Sequence, residues 1–327
     1  MEYRVLGNTG VQVSALCLGT MTFGKEADPQ ASAAIFNRAR EAGINFIDCA
    51  DGYGKGAAEE ILGGIISGCR HELVITTKVF SPMSGDINDR GLSRRHILAA
   101  AEASLRRLKT DHIDFYFLHH FDPKTPLEES LRALEELVSQ GKALYTGVSN
   151  FAAWQVMKAV GICRKEGWNP IQCIQPMYSL VKRQAEVELL PMALSERIGV
   201  ISYSPLGAGL LTGKYIDAPS SKEGRLKQNP MYQSRYSQSW MHETAKRFRE
   251  FAGENGFEPA SLAVAWVLRH PAVTAPIIGA RNTEQLEGSL KALDIDMTSG
   301  LYSQISGLSP QPPPANDRTE DPATMNR

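Results

Sequence analysis

Eight short runs dense in Ile, Val, Leu, Phe and Tyr recur along the 327-residue chain: ALCLGT, INFIDC, LVITTK, IDFYFLH, ALYTGVS, IQCIQ, GVISYS and APIIG. Continuous apolar runs of this length read as parallel strands covered on both faces. Thr20, Asp48, Lys78, His119, Ser149, Gln175, Ser204 and Gly279 mark their C-terminal ends, at successive intervals of 28, 30, 41, 30, 26, 29 and 75 residues. Five intervals cluster near the length of one strand-helix unit, and helix-start signals fall between the runs. These are Asp28-Pro29, Ser93, Thr125-Pro126-Leu127-Glu128 as a capping box with proline at the first helical position, and Asn282-Thr283-Glu284-Gln285. Eight strand-helix units favour closure into an α/β fold of the (β/α)8 TIM-barrel type, with functional loops at the C-terminal strand ends. Length allows one large domain, 1–306, although two ordinary domains would also fit.

The two long intervals carry insertions directly after a strand end: VFSPMSGDINDRG after Lys78, and a larger stretch from Leu206 to Gly256. Both are expected over the site face as C-terminal site-face loops. Before the first barrel strand, YRVLGNTGVQVS reads as an N-terminal β-hairpin turning near Asn8-Thr9-Gly10, a lid on the opposite end. From residue 307 to 327 the tail holds five prolines and little to bury, and is expected to be disordered.

GYGKGA, Gly52 to Ala57, fits the loose dinucleotide fingerprint G-x-G-x-x-A and raises a competing Rossmann architecture. The acidic partner such a fold needs argues against it. Glu72 lies 20 residues on, but before the strand LVITTK rather than at its end, and the period continues to eight units. The glycines read better as a strand-helix turn.

A net charge of −1 and a pI near 6.7 provide no field for nucleic acid or an anionic membrane, so small molecules are the expected partners. MEYRVLGNTG lacks the charged-then-apolar pattern of a leader, and no 18-residue apolar stretch follows, which points to a cytoplasmic protein. Cys17, Cys49, Cys69, Cys163 and Cys173 are scattered without CxxC spacing, so no disulfide framework and no metal site is expected. The sequence carries no signal for oligomeric state.

Four titratable residues converge on one rim. Asp48 ends a strand, Tyr53 follows in its loop, Lys78 ends the next strand and His119 the one after. Any one alone would be a cap, a packed ring or a snorkelling cation; four at successive ends are harder to dismiss. A buried Lys78 needs a carboxylate, which Asp48 can supply, and a cation beside the Tyr53 phenol would lower its pKa toward proton-transfer range. Strand alternation assigns the histidine pair. His119 shares parity with Ile113, Phe115 and Phe117 inside the barrel, and His120 with Tyr116 and Leu118 against the helices, with the pocket rim as its alternative.

RVLGNTGVQVSALCLGTMTFG, NFIDCADGYG, ITTKV, IDFYFLHHFDP, GVSNF, IQPMYS, ISYSPLGAGLLTGKY and IIGARNTEQLEGSL run in the order and spacing of the aldo-keto reductases. The chain resembles that family over nearly its whole length. The resemblance implies a barrel reductase passing hydride from NAD(P)H to an aldehyde or ketone. Asp48, Tyr53, Lys78 and His119 would be its catalytic tetrad: Tyr53 the general acid, Lys78 and Asp48 its tuners, His119 the carbonyl orienter.

It further implies that Ser149, Asn150 and Gln175 hold the nicotinamide carboxamide, that Tyr203 stacks on the ring, that Thr20 and Met21 lie beside its ribose, and that Asp48 also belongs to the cofactor site. Ser204, Pro205, Leu206 and Gly207, on through Gly209, would wrap the pyrophosphate with Lys214 and Arg225, while Gly279, Arg281 and Gln285 hold the adenosine end. The planar Arg281 suits a 2′-phosphate, hence NADP(H). Gly288 and Ser289 depart from the family's frequent Glu and Asn at the adenine, and Cys49 replaces a frequent Thr as a packing residue. Phe23, Tyr53, Phe80, His119 and His120 would wall an aromatic pocket for a small carbonyl substrate. Two alternatives stand beside this: a sugar aldolase or isomerase using Lys78 as a Schiff-base nucleophile, and a cofactor-binding regulatory subunit like the potassium-channel β-subunits, which the chain resembles at SPLGAG and near Gln285. An intact His119 favours turnover.

Overall fold

All eight runs pair in parallel. The computed structural model describes residues 1–217 and 224–316, and in it β3 (Cys17–Gly19), β4 (Phe46–Asp48), β5 (Val74–Val79), β6 (Ile113–Leu118), β7 (Ala143–Ser149), β8 (Ile171–Gln175), β9 (Gly199–Ser202) and β10 (Ala275–Ile278) close into a barrel. β10 returns to pair with β3. Ahead of them, β1 (Tyr3–Val5) and β2 (Gln12–Ser14) form an antiparallel hairpin. The chain is thus a (β/α)8 barrel with an N-terminal hairpin.

Helices α1 (Pro29–Glu41), α2 (Ala57–Ile65), α3 (Arg94–Leu108), α4 (Leu127–Ser139), α5 (Ala153–Glu166) and α6 (Leu189–Glu196) follow successive strands. After β9 come α7 (Lys214–Asp217), α8 (Arg225–Gln228), α9 (Pro230–Arg235), α10 (Ser239–Glu254) and α11 (Pro259–Arg269); α12 (Thr283–Leu290) and α13 (Ser299–Ser306) follow β10. Three expected caps are made by side chains: Asp28 accepts from Ala31 N–H, Ser93 from His96 N–H and Asn282 from Gln285 N–H. The capping box at Thr125 is not. Helix α4 begins after Pro126 without a side-chain cap, because Asp122 claims the Thr125 hydroxyl at 2.9 Å as well as the Leu92 and Lys124 amides.

The core has two layers. Phe46, Val74, Phe115, Phe117, Cys173 and Ile201 fill the barrel, whereas Tyr116, Leu118 and Ile113 pack outward; Ile113 departs from the expected parity. The hairpin plugs the N-terminal end: Leu6 joins the inner layer, and Ser14 N–H donates 2.7 Å to Asn45 Oδ1. Glycine is required at Gly7, where φ is +60° and a Cβ would lie 2.4 Å from the Gln172 carbonyl. The opposite end is left for the loops that carry Tyr53, His119, Tyr203 and Arg281.

At the C-terminus the packed chain runs past the expected boundary at 307. Ser309 is buried, Leu308 packs against the core, and Arg183 Nη1 donates to the Ser306 and Ser309 carbonyls. The rest of the expected tail, 317–327, lies outside the described residues. Among the described residues no helix is long and apolar enough to cross a membrane.

Candidate active site

Lys78 sits at the centre of the rim with no solvent exposure. Its Nζ donates to both Asp48 carboxylate oxygens at 2.7 Å, to the Cys49 carbonyl at 2.6 Å and to Tyr53 Oη at 3.3 Å. Burial alone would lower the Lys78 pKa; Asp48 and Tyr53 outweigh it and the ammonium is raised. It is a fixed cation rather than a free amine. Parallel register brings this about: Asp48 ends β4 opposite Thr76 of β5, so alternation puts Lys78 on the same inner face.

Asp48 Oδ1 also accepts from Thr76 Oγ1 and Gln175 Nε2, each at 2.7 Å. The network continues around the barrel. Ser149 Oγ donates to the Gln175 carbonyl (2.9 Å), Asn150 Nδ2 to Ser149 Oγ (3.0 Å) and to the His119 carbonyl (2.9 Å), and Tyr203 Oη to Asn150 Oδ1 (2.7 Å). Strand ends β4 to β9 are therefore tied into one polar ring. Asn150 and Ser204 hold φ near +60°, a strained conformation for non-glycine residues that the ring and the following turn over-determine.

The Tyr53 phenol departs from expectation. Its pKa is raised, because burial outweighs the lowering by Lys78. Tyr53 is accordingly a protonated donor with a cation behind its oxygen. Its ring meets His119 edge-on, centroids 6.0 Å apart. His119 is depressed well below the ordinary histidine range, by burial first and then by Lys78 and His120, and its Nδ1 is buried without a hydrogen-bond partner. A neutral imidazole beside Tyr53 can donate its ring N–H to a carbonyl oxygen.

The two histidines are not on opposite faces. Strand β6 ends at Leu118, alternation ends with it, and the His120 ring stacks on His119 with centroids 4.9 Å apart and a 19° interplanar angle. His120 also meets Phe80 at 5.1 Å, so both lie at the rim. Phe23 does not: it is fully buried and lines no open surface, which corrects its place among the pocket residues.

Thr20 is buried with its hydroxyl on the Asp48 carbonyl at 3.0 Å. Met21 Sδ accepts from Tyr232 Oη, and half-buried Tyr203 follows β9. From Ser204 through Pro205 and Leu206 to Gly207 the chain curls back, Gly207 N–H donating to the Ser204 carbonyl at 2.9 Å. Lys214, Arg225 and Arg281 then gather at one place. The Lys214 ammonium is lowered by burial and by the charges of Arg281 and Arg225, and among the described residues none of the three pairs with a carboxylate. Such a group fits a bound polyanion. Gln285 Oε1 accepts from Arg281 N–H at 3.2 Å, and exposed Gly279 begins this loop. Gly288 and Ser289 are buried; the Gly288 carbonyl accepts from Ser261 Oγ, so this part of α12 faces α11.

Thr76, Tyr232, Arg235 and Tyr236 were not foreseen. Thr76 lay within a strand read only for its apolar content. The other three share the YQSRY stretch, whose i, i+3, i+4 spacing was the available signal.

A family model described as "Aldo/keto reductase family" matches residues 15–309. The chain is 39% identical over 324 residues to "Uncharacterized oxidoreductase YrpG" of Bacillus subtilis (strain 168), covering 95% of this chain and 97% of that protein. It is also 36% identical over 304 residues to proteins named "Probable voltage-gated potassium channel subunit beta" of Arabidopsis thaliana and Oryza sativa subsp. japonica, covering 90% of this chain and 92% of each.

Proposed function

Since the chain belongs to the aldo/keto reductase family, and so is an oxidoreductase, we propose that it reduces the carbonyl of an aldehyde or ketone with NADPH, Tyr53 being the proton donor. One observation carries this above the rest: the Asp48–Lys78–Tyr53 chain ends on a protonated phenol facing His119.

NADPH would supply the hydride. The chain's own residues do the rest. Lys214, Arg225 and Arg281 would receive its phosphates, Gln175 would offer Oε1 to the carboxamide, and Asn150 with Ser149 would hold the wall against which Tyr203 is set. Tyr53 Oη gives its proton to the carbonyl oxygen as negative charge develops there. The buried Lys78 cation stabilises the resulting phenolate, while Asp48, held by Thr76 and Gln175, keeps that cation in place. His119, neutral, fixes the direction of the carbonyl. A location in the cytoplasm and a single catalytic domain belong to the same proposal.

The aldolase or isomerase alternative needs a neutral, nucleophilic lysine, whereas Lys78 is a raised ammonium bonded to a carboxylate. The regulatory alternative takes its support from the potassium-channel relatives. Asp48, Tyr53, Lys78 and His119 are all present here and in mutual reach, which favours turnover. Steady-state NADPH consumption across a panel of reactive aldehydes tests the reading: consumption is expected, and its absence throughout would favour the regulator. Borohydride inactivation dependent on substrate would instead favour the Schiff-base reading.

A further inference from the structure

Two half-buried cations stand at the mouth without an assigned role. Arg235 ends α9, its guanidinium 5.3 Å from the Tyr232 ring centroid and Nη2 on Met231 Sδ at 3.7 Å; Lys182 Nζ lies 5.4 Å from the Tyr236 centroid. Both rings lean on the site face: Tyr232 Oη donates to Met21 Sδ and Tyr236 Oη to Met177 Sδ, each at 3.9 Å. Among the described residues neither cation has a carboxylate partner, whereas nearby Arg183 is paired with Glu186 at 2.9 Å.

Their electrostatic reach sets them apart from the phosphate-site cations. Arg235 acts on His120, Tyr203, Tyr236 and Lys182, lowering the Lys182 ammonium after burial has done so. Lys214 feels Arg281 and Arg225 instead. Among the described residues the Tyr232 ring is common to the two groups, with Arg225 at 5.8 Å. Holding two like charges together, partly out of water and over aromatic faces, costs free energy that a bound anion offsets. The charge of Arg235 is felt at His120, which stacks on His119, and the Tyr232 ring under Arg235 reaches Met21 of the site face, so an anion there would belong to the molecule whose carbonyl meets Tyr53.

We propose that Arg235, assisted by Lys182, selects carbonyl substrates carrying a carboxylate, Arg235 forming the planar two-point contact and Lys182 the second charge. The proposal rests on the reductase reading above and names its substrate class.

The test compares 4-formylbenzoate with its neutral isostere 4-formylbenzamide under NADPH. The wild type should prefer the carboxylate by about tenfold or more in kcat/KM, chiefly through KM, since a charge-assisted contact is of that size. Added salt should narrow the ratio. Arg235→Gln should bring it toward one, Lys182→Gln part of the way, and Arg235→Lys should retain an intermediate preference. A wild-type ratio near one overturns the proposal, as does an Arg235→Gln variant whose loss falls on NADPH affinity and on both aldehydes alike. If the wild type reduces neither aldehyde, the reductase reading fails, and calorimetry with 4-(hydroxymethyl)benzoate and 4-(hydroxymethyl)benzamide in the presence of NADP+ decides the matter. Tighter binding of the anion, lost in Arg235→Gln, upholds carboxylate selection; equal binding overturns it.

Discussion

Lys78 Nζ lies 2.7 Å from each carboxylate oxygen of Asp48, and neither residue is more than marginally exposed. Two opposite charges buried together are stable only while both are present. Asp48→Asn would leave the Lys78 ammonium in the barrel mouth without its counter-charge and without its fixed position behind Tyr53. Removing one member of such a pair typically costs ~3–5 kcal/mol. Urea unfolding of the variant at pH 7 should show a loss of that order together with near-abolished turnover. A variant as stable and active as wild type would mean that the pair is incidental.

Asp51 supplies the pH prediction. Its carboxylate is buried, and its pKa is raised to about 7 by burial and by nearby Glu59, against the lowering by the Gly52 backbone amide and by the charges of Arg107 and Lys78. The folded state therefore holds this proton more tightly than the unfolded chain, where the group titrates near 3.8. Stability from Asp51 is fully present below about pH 4 and is lost as pH rises through 7, by up to about 4 kcal/mol. Asp51→Asn should consequently be more stable relative to wild type at pH 8 than at pH 4, by chemical denaturation at both values. An equal difference at the two would contradict the buried-acid assignment.

The histidines should separate in kinetics even though their rings stack. His119 stands edge-on to Tyr53 and is held neutral, whereas His120, stacked on it, meets Phe80 at the rim. His119→Ala should lower kcat, and His120→Ala should act mainly on KM. Because His119 does not gain a proton in the working range, kcat should be flat between about pH 6 and 8. The assignment is lost if His120→Ala alone abolishes turnover in a folded protein.

Arg281 should contribute much of an NADPH preference, since two charge-assisted bonds to a 2′-phosphate are unavailable to NADH. Hydrogen bonds to charged groups contribute ~1.5–3 kcal/mol, or roughly 10- to 150-fold in affinity. Arg281 and Arg225 both bear on Lys214, so the three would share the load, which favours the lower figure. Fluorescence titration of both cofactors against wild type and Arg281→Ala checks this. Equal weakening of the two would assign Arg281 to the pyrophosphate or to the surface.

Strands and ring-forming polar residues were legible because doubly covered strands leave unbroken apolar runs, and because a parallel barrel sends every C-terminal end to one face. What was not legible involves competition between distant groups. Thr125 reads as a cap until Asp122 takes its hydroxyl. His120 reads as outward only if alternation survives the end of β6, and it does not. Phe23 follows a strand end like a pocket residue, yet the loop turns it into the core. Tyr232, Arg235 and Tyr236 lie in a site-face insertion, where short helices are placed by packing rather than by a period that sequence reveals.

The proton donor is the centre of the account. Single-turnover oxidation of bound NADPH by 4-nitrobenzaldehyde, measured in wild type and in Tyr53→Phe with cofactor affinity determined in parallel, addresses it most directly. If Tyr53 is the proton donor, its loss removes the hydroxyl that Lys78 backs and leaves the ring packing in place, so the variant should bind NADPH as tightly as wild type and oxidise it at least ~10²-fold more slowly. Near-normal oxidation in Tyr53→Phe, or a wild type that binds NADPH and never oxidises it with any reactive aldehyde, would contradict the account.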